Sequence, residues 1–133
     1  FRHDHIGYNY RMPNINAALG CAQLENLDRY VADKRETAAR YAEFFKGKED
    51  ITFFTEPVDC RSNYWLNAVV LKDKAAQLEF LEYTNDHGVM TRPVWELMNR
   101  LPMFEHCETD GLENTEWLAD RVVNIPSSVR LDK

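Results

Sequence analysis

His3 and His5 flank Asp4, and such residues at close spacing can ligate a divalent metal. Alternate residues of an extended segment point to opposite sides, and no third ligand stands nearby, so no metal site is expected there. His106-Cys107 is an equally poor pair, because adjacent residues rarely ligate one ion and no partner lies at finger spacing. The five glycines, Gly7, Gly20, Gly47, Gly88 and Gly111, form neither a dinucleotide-binding GxGxxG turn nor a Walker-type loop. A GxSxG nucleophile elbow and an HExxH helix are absent as well. Composition, period and spacing therefore show no self-sufficient active site. What stands out is residues 1–12, dense in His, Asp, Tyr, Asn and Arg and without helical or strand period, which reads as an ordered or docking arm.

The elements that would position such an arm follow from periodicity. After Pro13, suited to a first helical turn, apolar residues recur at Ile15, Ala18, Leu19, Ala22, Leu27, Val31, Ala38, Tyr41 and Phe45, which predicts one long helix to about Lys46, stopped by Gly47. Its outward face would carry Glu25, Arg29, Asp33, Lys34, Arg35, Glu36, Arg40 and Glu43. A short strand is expected over 51–55, and a central strand, buried on both faces, over the nearly continuous apolar run 64–71. Asp73 can cap a helix over 74–87 with Ala75, Leu78, Leu81 and Asn85 inward and Gly88 at its left-handed end. A strand over 89–94, an irregular apolar stretch around Pro102, a helix from Asn114 or Thr115 through Val122, and a short closing strand at Asn124-Ile125 complete the chain. This order predicts a two-layer α+β domain, with the long N-terminal helix and the other helices packed on a small, mostly antiparallel sheet.

The length of 133 residues suits one domain with an ordinary core. With 16 Lys+Arg against 22 Asp+Glu the net charge is −6, which argues against nucleic acid and anionic membranes as partners. No apolar run reaches the ~18 residues of a membrane span. Cys21, Cys60 and Cys107 are odd in number and far apart, so a reducing cytoplasm is the simpler expectation than a disulfide framework. The opening at Phe1 in place of Met hints at a piece of something longer.

The arm is also where a family resemblance lies. His5-Ile6-Gly7-Tyr8-Asn9-Tyr10-Arg11-Met12-Pro13-Asn14, running into Ala17-Ala18-Leu19-Gly20 and Gln23-Leu24, resembles the signature of the DegT/DnrJ/StrS sugar aminotransferases, fold-type I pyridoxal-phosphate enzymes. Asn63-Tyr64-Trp65, Gly88-Val89-Met90-Thr91-Arg92-Pro93, Leu101-Pro102-Met103-Phe104 and Asn124-Ile125-Pro126-Ser127-Ser128 follow in the order of that family's C-terminal third. The resemblance implies that residues 13–133 are the small C-terminal domain of such an enzyme. It also implies that 1–12 is an arm contacting the cofactor site of a neighbouring subunit in a homodimer.

Enzymes of this kind carry an amino group from glutamate to a nucleotide-linked keto sugar through a lysine Schiff base with pyridoxal 5'-phosphate. None of this chain's lysines occupies the family's position, so the chain by itself is expected to be inactive. The resemblance maps onto Asn9 an asparagine that reaches the neighbour's cofactor phosphate, and a carboxamide NH₂ is a neutral donor suited to a phosphate oxygen. Tyr8 and Tyr10 would stack or hydrogen-bond at the same site, or else be buried tyrosines each tied by one hydrogen bond. The planar fork of Arg11 suits a diphosphate or carboxylate, with an ion pair to Asp4 or a helix carboxylate as the rival reading. Arg92 is a second candidate for substrate recognition, with Trp95 and Met98 along the same wall or simply in the core. The run from Thr91 to Phe104 most resembles members acting on UDP-linked 4-keto-6-deoxy N-acetylated hexoses, on routes to bacillosamine or legionaminic acid, although Asn99 stands where histidine is the commoner residue. Two other readings stay open at this point: a stand-alone protein-interaction module, and a regulator that binds the cofactor without turning it over.

Overall fold

The computed structural model describes residues 4–8 and 11–130. Helix α1 (Asn14–Leu24) begins directly after Pro13, whose carbonyl accepts from Ala17 N. The single long helix expected from the periodicity is two. Asn26 leaves helical geometry at φ −109°, ψ 2°, and its carboxamide donates to Ala22 O at 3.1 Å, so its side chain competes with the backbone ladder. Helix α2 (Leu27–Phe45) then restarts with Tyr30 N on Asn26 O. None of α1 is buried, and Ile15, Ala18, Leu19 and Ala22 of its apolar face are all exposed.

The sheet is antiparallel throughout, in the order β1-β2-β4-β3, from β1 (Ile51–Phe53), β2 (Asn67–Leu71), β3 (Arg92–Pro93) and β4 (Val122–Ile125). The central place expected for the apolar run around Val69 is the one β2 occupies. It starts at Asn67 because Tyr64 takes a left-handed φ of 47°, held there by Ser62 Oγ accepting from Tyr64 N and Asn63 Oδ1 accepting from Trp65 N. Burial falls on one face and not both. Phe53, Val69 and Val123 are register neighbours that, with Leu71, Ile125 and Ala38, form the core. Ala68, Val70, Val122 and Asn124 on the other face are half-buried. Fully burying Val69 and Val123 contributes roughly 1.5–3 kcal/mol each.

Helices α2 and α3 (Lys74–Asp86) cover the core face, through Tyr41, Ala42 and Phe45 on one and Ala76, Phe80 and Leu81 on the other. Asp73 caps α3 as expected, accepting from Ala76 N at 2.8 Å. The inward face is shifted from the expected one: Ala75, Leu78 and Asn85 are exposed and Gln77 is wholly buried. Its amide donates to Ala119 O at 2.9 Å and Val122 O at 2.8 Å, satisfying a carbonyl that ends a helix and one that opens a strand. A polar residue carries no apolar period, which is why the pattern slipped.

The last helix, α4 (Glu113–Ala119), starts one or two residues earlier and ends sooner than expected, and Val122 passes instead into β4 beside Val123, where β-branched side chains fit a pleated surface. The strand expected over 89–94 contracts to the edge strand β3, because Pro93 has no N–H for a further ladder bond and Thr91 is held by side chains. The irregular stretch contains a 3₁₀ turn at Met98–Arg100, and Leu101 is buried.

Candidate functional site

Asn9 and Tyr10, the centre of the expected arm, lie outside the described residues. Tyr8 and Arg11 beside them are exposed, and Asp4 pairs with His5 at 2.8 Å on the surface in place of Arg11. Among the described residues no three His, Cys, Asp or Glu side chains are grouped to hold a metal ion.

Arg92 and Trp95 do come together. They line a cavity of about 600 Å³ at the end of the sheet, with Trp65, Leu66, Met90, Asn124 and Ser128 also on its walls. Trp65 and Trp95 keep 70% and 65% of their surface open, far more than core residues would. Met98 turns away, into a neighbouring apolar cavity of about 850 Å³ that shares Trp95 and is closed by Phe104, Leu112 and Leu118.

The cavity is built on fixed supports. Thr91, buried, is hydrogen-bonded through its hydroxyl to Thr84 Oγ1 at 2.6 Å and accepts from Asn85 Nδ2 at 2.9 Å, so the C-terminal turn of α3 sets the backbone from which Arg92 projects. The Arg92 guanidinium lies 3.3 Å from the Met90 sulfur. On the opposite rim the Lys34 ammonium donates to Ser127 O at 2.6 Å and Trp65 O at 3.3 Å, tying the chain before β2 to the chain after β4. Ser127 Oγ accepts from Asn67 N and donates to Ile125 O.

Two arginines, Arg35 and Arg130, hold the flanking loops through ion pairs. Arg35 grips Glu56 bidentately at 2.7 and 3.0 Å, while Ser62 N also donates to Glu56 and Tyr64 Oη accepts from Glu56 N. The Arg35 hydrogen bonds, and after them the one from Ser62, hold the Glu56 carboxyl down at about 2. Arg130 binds Asp33 through its side chain and its backbone N–H, and its guanidinium also reaches Glu36 at 3.2 Å. Asp33, Lys34 and Arg35, expected on an outward charged face, therefore turn to hold the loops, and Asp33 is buried. The sequence reading missed Lys34 and Asn124 as wall residues. The signal for Asn124 was its place in the run ending Ser127-Ser128.

The described residues do not by themselves make a site for pyridoxal phosphate. The Lys34 ammonium is held by two carbonyls, Lys46, Lys72 and Lys74 pair with Glu43, Asp50 and Asp120, and Lys48 lies over the Phe44 ring. What this domain offers is a wall: two open indoles and a guanidinium on a rigid antiparallel platform.

Fold and cavity together define an α+β domain that presents an aromatic and basic wall at one end of an antiparallel sheet. The model of the DegT/DnrJ/EryC1/StrS aminotransferase family matches residues 1–133, and the chain belongs to that family. It is similar to GDP-perosamine synthase of Escherichia coli O157:H7, at 33% identity over 127 residues, covering 94% of this chain and 34% of that protein. It is also similar to the putative pyridoxal phosphate-dependent aminotransferase EpsN of Bacillus subtilis (strain 168), at 30% identity, covering 96% of this chain and 34% of that protein. Among solved structures, sugar aminotransferase CalS13 from Micromonospora echinospora superposes with a TM-score of 0.74 at 26% identity, over 92% of this chain and 32% of that one. The chain spans about one third of the length of the relatives it matches.

Proposed function

We propose that this chain is the small C-terminal domain of a pyridoxal-phosphate-dependent aminotransferase that transfers an amino group from glutamate to a nucleotide-linked keto sugar. The observation that carries the reading is the family match along all 133 residues. Residues 13–133 form the domain, and 1–12 form an arm that reaches the cofactor site of the second subunit of a homodimer. Pyridoxal phosphate, when bound, supplies the electron sink for the transfer, and the lysine that carries it is not one of this chain's own. The chain alone is accordingly inactive. Its contribution is to bind and orient: Asn9 donates to the cofactor phosphate across the dimer, and Arg11, Tyr8, Tyr10, Arg92 and Trp95 face the substrate. The cavity shared by Arg92 and Trp95 supports the last two assignments. The cytoplasm is the proposed location, supported by three free and exposed cysteines.

The substrate proposed is a UDP-linked 4-keto-6-deoxy N-acetylhexosamine. The test is to supply the full-length protein with pyridoxal phosphate, glutamate and that sugar beside its GDP-linked 4-keto-6-deoxymannose counterpart, and to follow formation of the 4-amino sugar. Amination of neither overturns the reading, and preference for the GDP-linked sugar overturns its narrower form. Replacing Asn9 by alanine in the full-length enzyme should loosen cofactor retention by about tenfold, the scale of one hydrogen bond to a charged group. Unchanged retention removes Asn9 from the cofactor site.

A further inference from the structure

The cavity that holds Arg92 has an electrostatic character at odds with the rest of the molecule. The chain carries a net charge of −6, yet among the described residues the charged side chains on this cavity's walls are Lys34 and Arg92, with no carboxylate. Arg92 and Asn124 are direct register partners on adjacent antiparallel strands, so their side chains leave the sheet on the same face, the one that α2 and α3 do not cover. The Asn124 carboxamide is half-buried and makes no hydrogen bond to any described residue. Ser128 lines the same cavity.

We infer that Asn124, with Arg92 and Ser128, forms an oxyanion-binding site that takes a phosphate or carboxylate group. The guanidinium supplies charge and a planar pair of donors, the carboxamide NH₂ a neutral donor at a neighbouring strand position, and the hydroxyl a third. Lys34 acts as a positioning residue: its ammonium is bound to Ser127 O and Trp65 O, which joins the two rims and adds positive potential without reaching the ligand. Strands β3 and β4 fix the spacing of Arg92 and Asn124, so little ordering is needed on binding. This deepens the substrate assignment of Arg92 and rests on that reading only for the identity of the anion's owner. The same chemistry fits the diphosphate of a nucleotide sugar and the carboxylate of an amino donor.

The experiment is calorimetric titration of the full-length protein with inorganic pyrophosphate and, separately, with glutarate, for wild type, Asn124→Ala and Asn124→Asp. The alanine variant should weaken one of the two probes by about tenfold, the scale of one charge-assisted hydrogen bond, and the aspartate variant should weaken it further by setting a carboxylate against the anion. Loss confined to pyrophosphate assigns the site to phosphate, and loss confined to glutarate assigns it to carboxylate. Equal binding of both probes by all three folded proteins, checked by circular dichroism, overturns the inference, as does failure of wild type to bind either. Amino transfer by the full-length enzyme is scored separately. Activity with unchanged anion affinities sinks this site alone, whereas anion loss in a protein without transferase activity sinks the function and leaves the site.

Discussion

Glu56 shows how far one carboxyl can govern a loop. Held at about 2 by Arg35 and Ser62 against an ordinary 4.5, it is deprotonated in the fold at pH values where the unfolded chain already binds its proton. Its contribution to stability is therefore present above about pH 4.5 and fades as pH falls from there toward 2. Urea denaturation of wild type and Glu56→Gln between pH 3 and 7 should give two curves whose separation shrinks on acidification. A constant separation would show that the pair does not govern this loop's acid response. Gln77 makes the complementary case inside the core. Replacing it by leucine leaves the Ala119 and Val122 carbonyls without their buried donor and should cost about 1–3 kcal/mol in chemical denaturation. Neither residue was legible in the sequence as important, because Arg35, Ala119 and Val122 lie 21 to 45 residues from the side chains they meet and neither residue belongs to a local apolar pattern.

Elements were legible where local chemistry decided them. Asp73 announced the start of α3 and Gly88, at φ +76°, its end, and both do what their side chains, or the lack of one, allow. Asp73→Ala should cost about 0.5–2 kcal/mol and lower the thermal midpoint, measured by circular dichroism. An unchanged midpoint would mean that tertiary packing alone sets where α3 begins. The break at Asn26 and the transfer of Val122 from helix to strand were not legible. The first depends on a side-chain hydrogen bond competing with an otherwise helical run. The second depends on β4 finding β2 and β3 on either side, a long-range pairing that a helical period conceals. Of the candidate site, Arg92 and Trp95 were legible together through their motif, while the wall they share with Asn124 required the register between β3 and β4.

At the scale of the whole molecule the outstanding feature is α1, a helix of eleven residues with no charged side chain and none buried. Ile15, Leu19 and Leu24 are each at least 60% exposed, and an uncharged helix whose apolar side chains face water has little to hold it. The isolated chain should therefore self-associate, with a sedimentation coefficient that rises with concentration. A monodisperse monomer across concentrations would count against that. Lys34 lies on the helix that follows, and its ammonium hooks both margins of the Arg92 cavity at once. Helix α2 is in that respect a lever with one hook. Whatever docks against α1 and tilts α2 must drag the segments carrying Trp65 and Ser127 in the same direction, so the width of the cleft between them is preserved while its orientation to Arg92 changes.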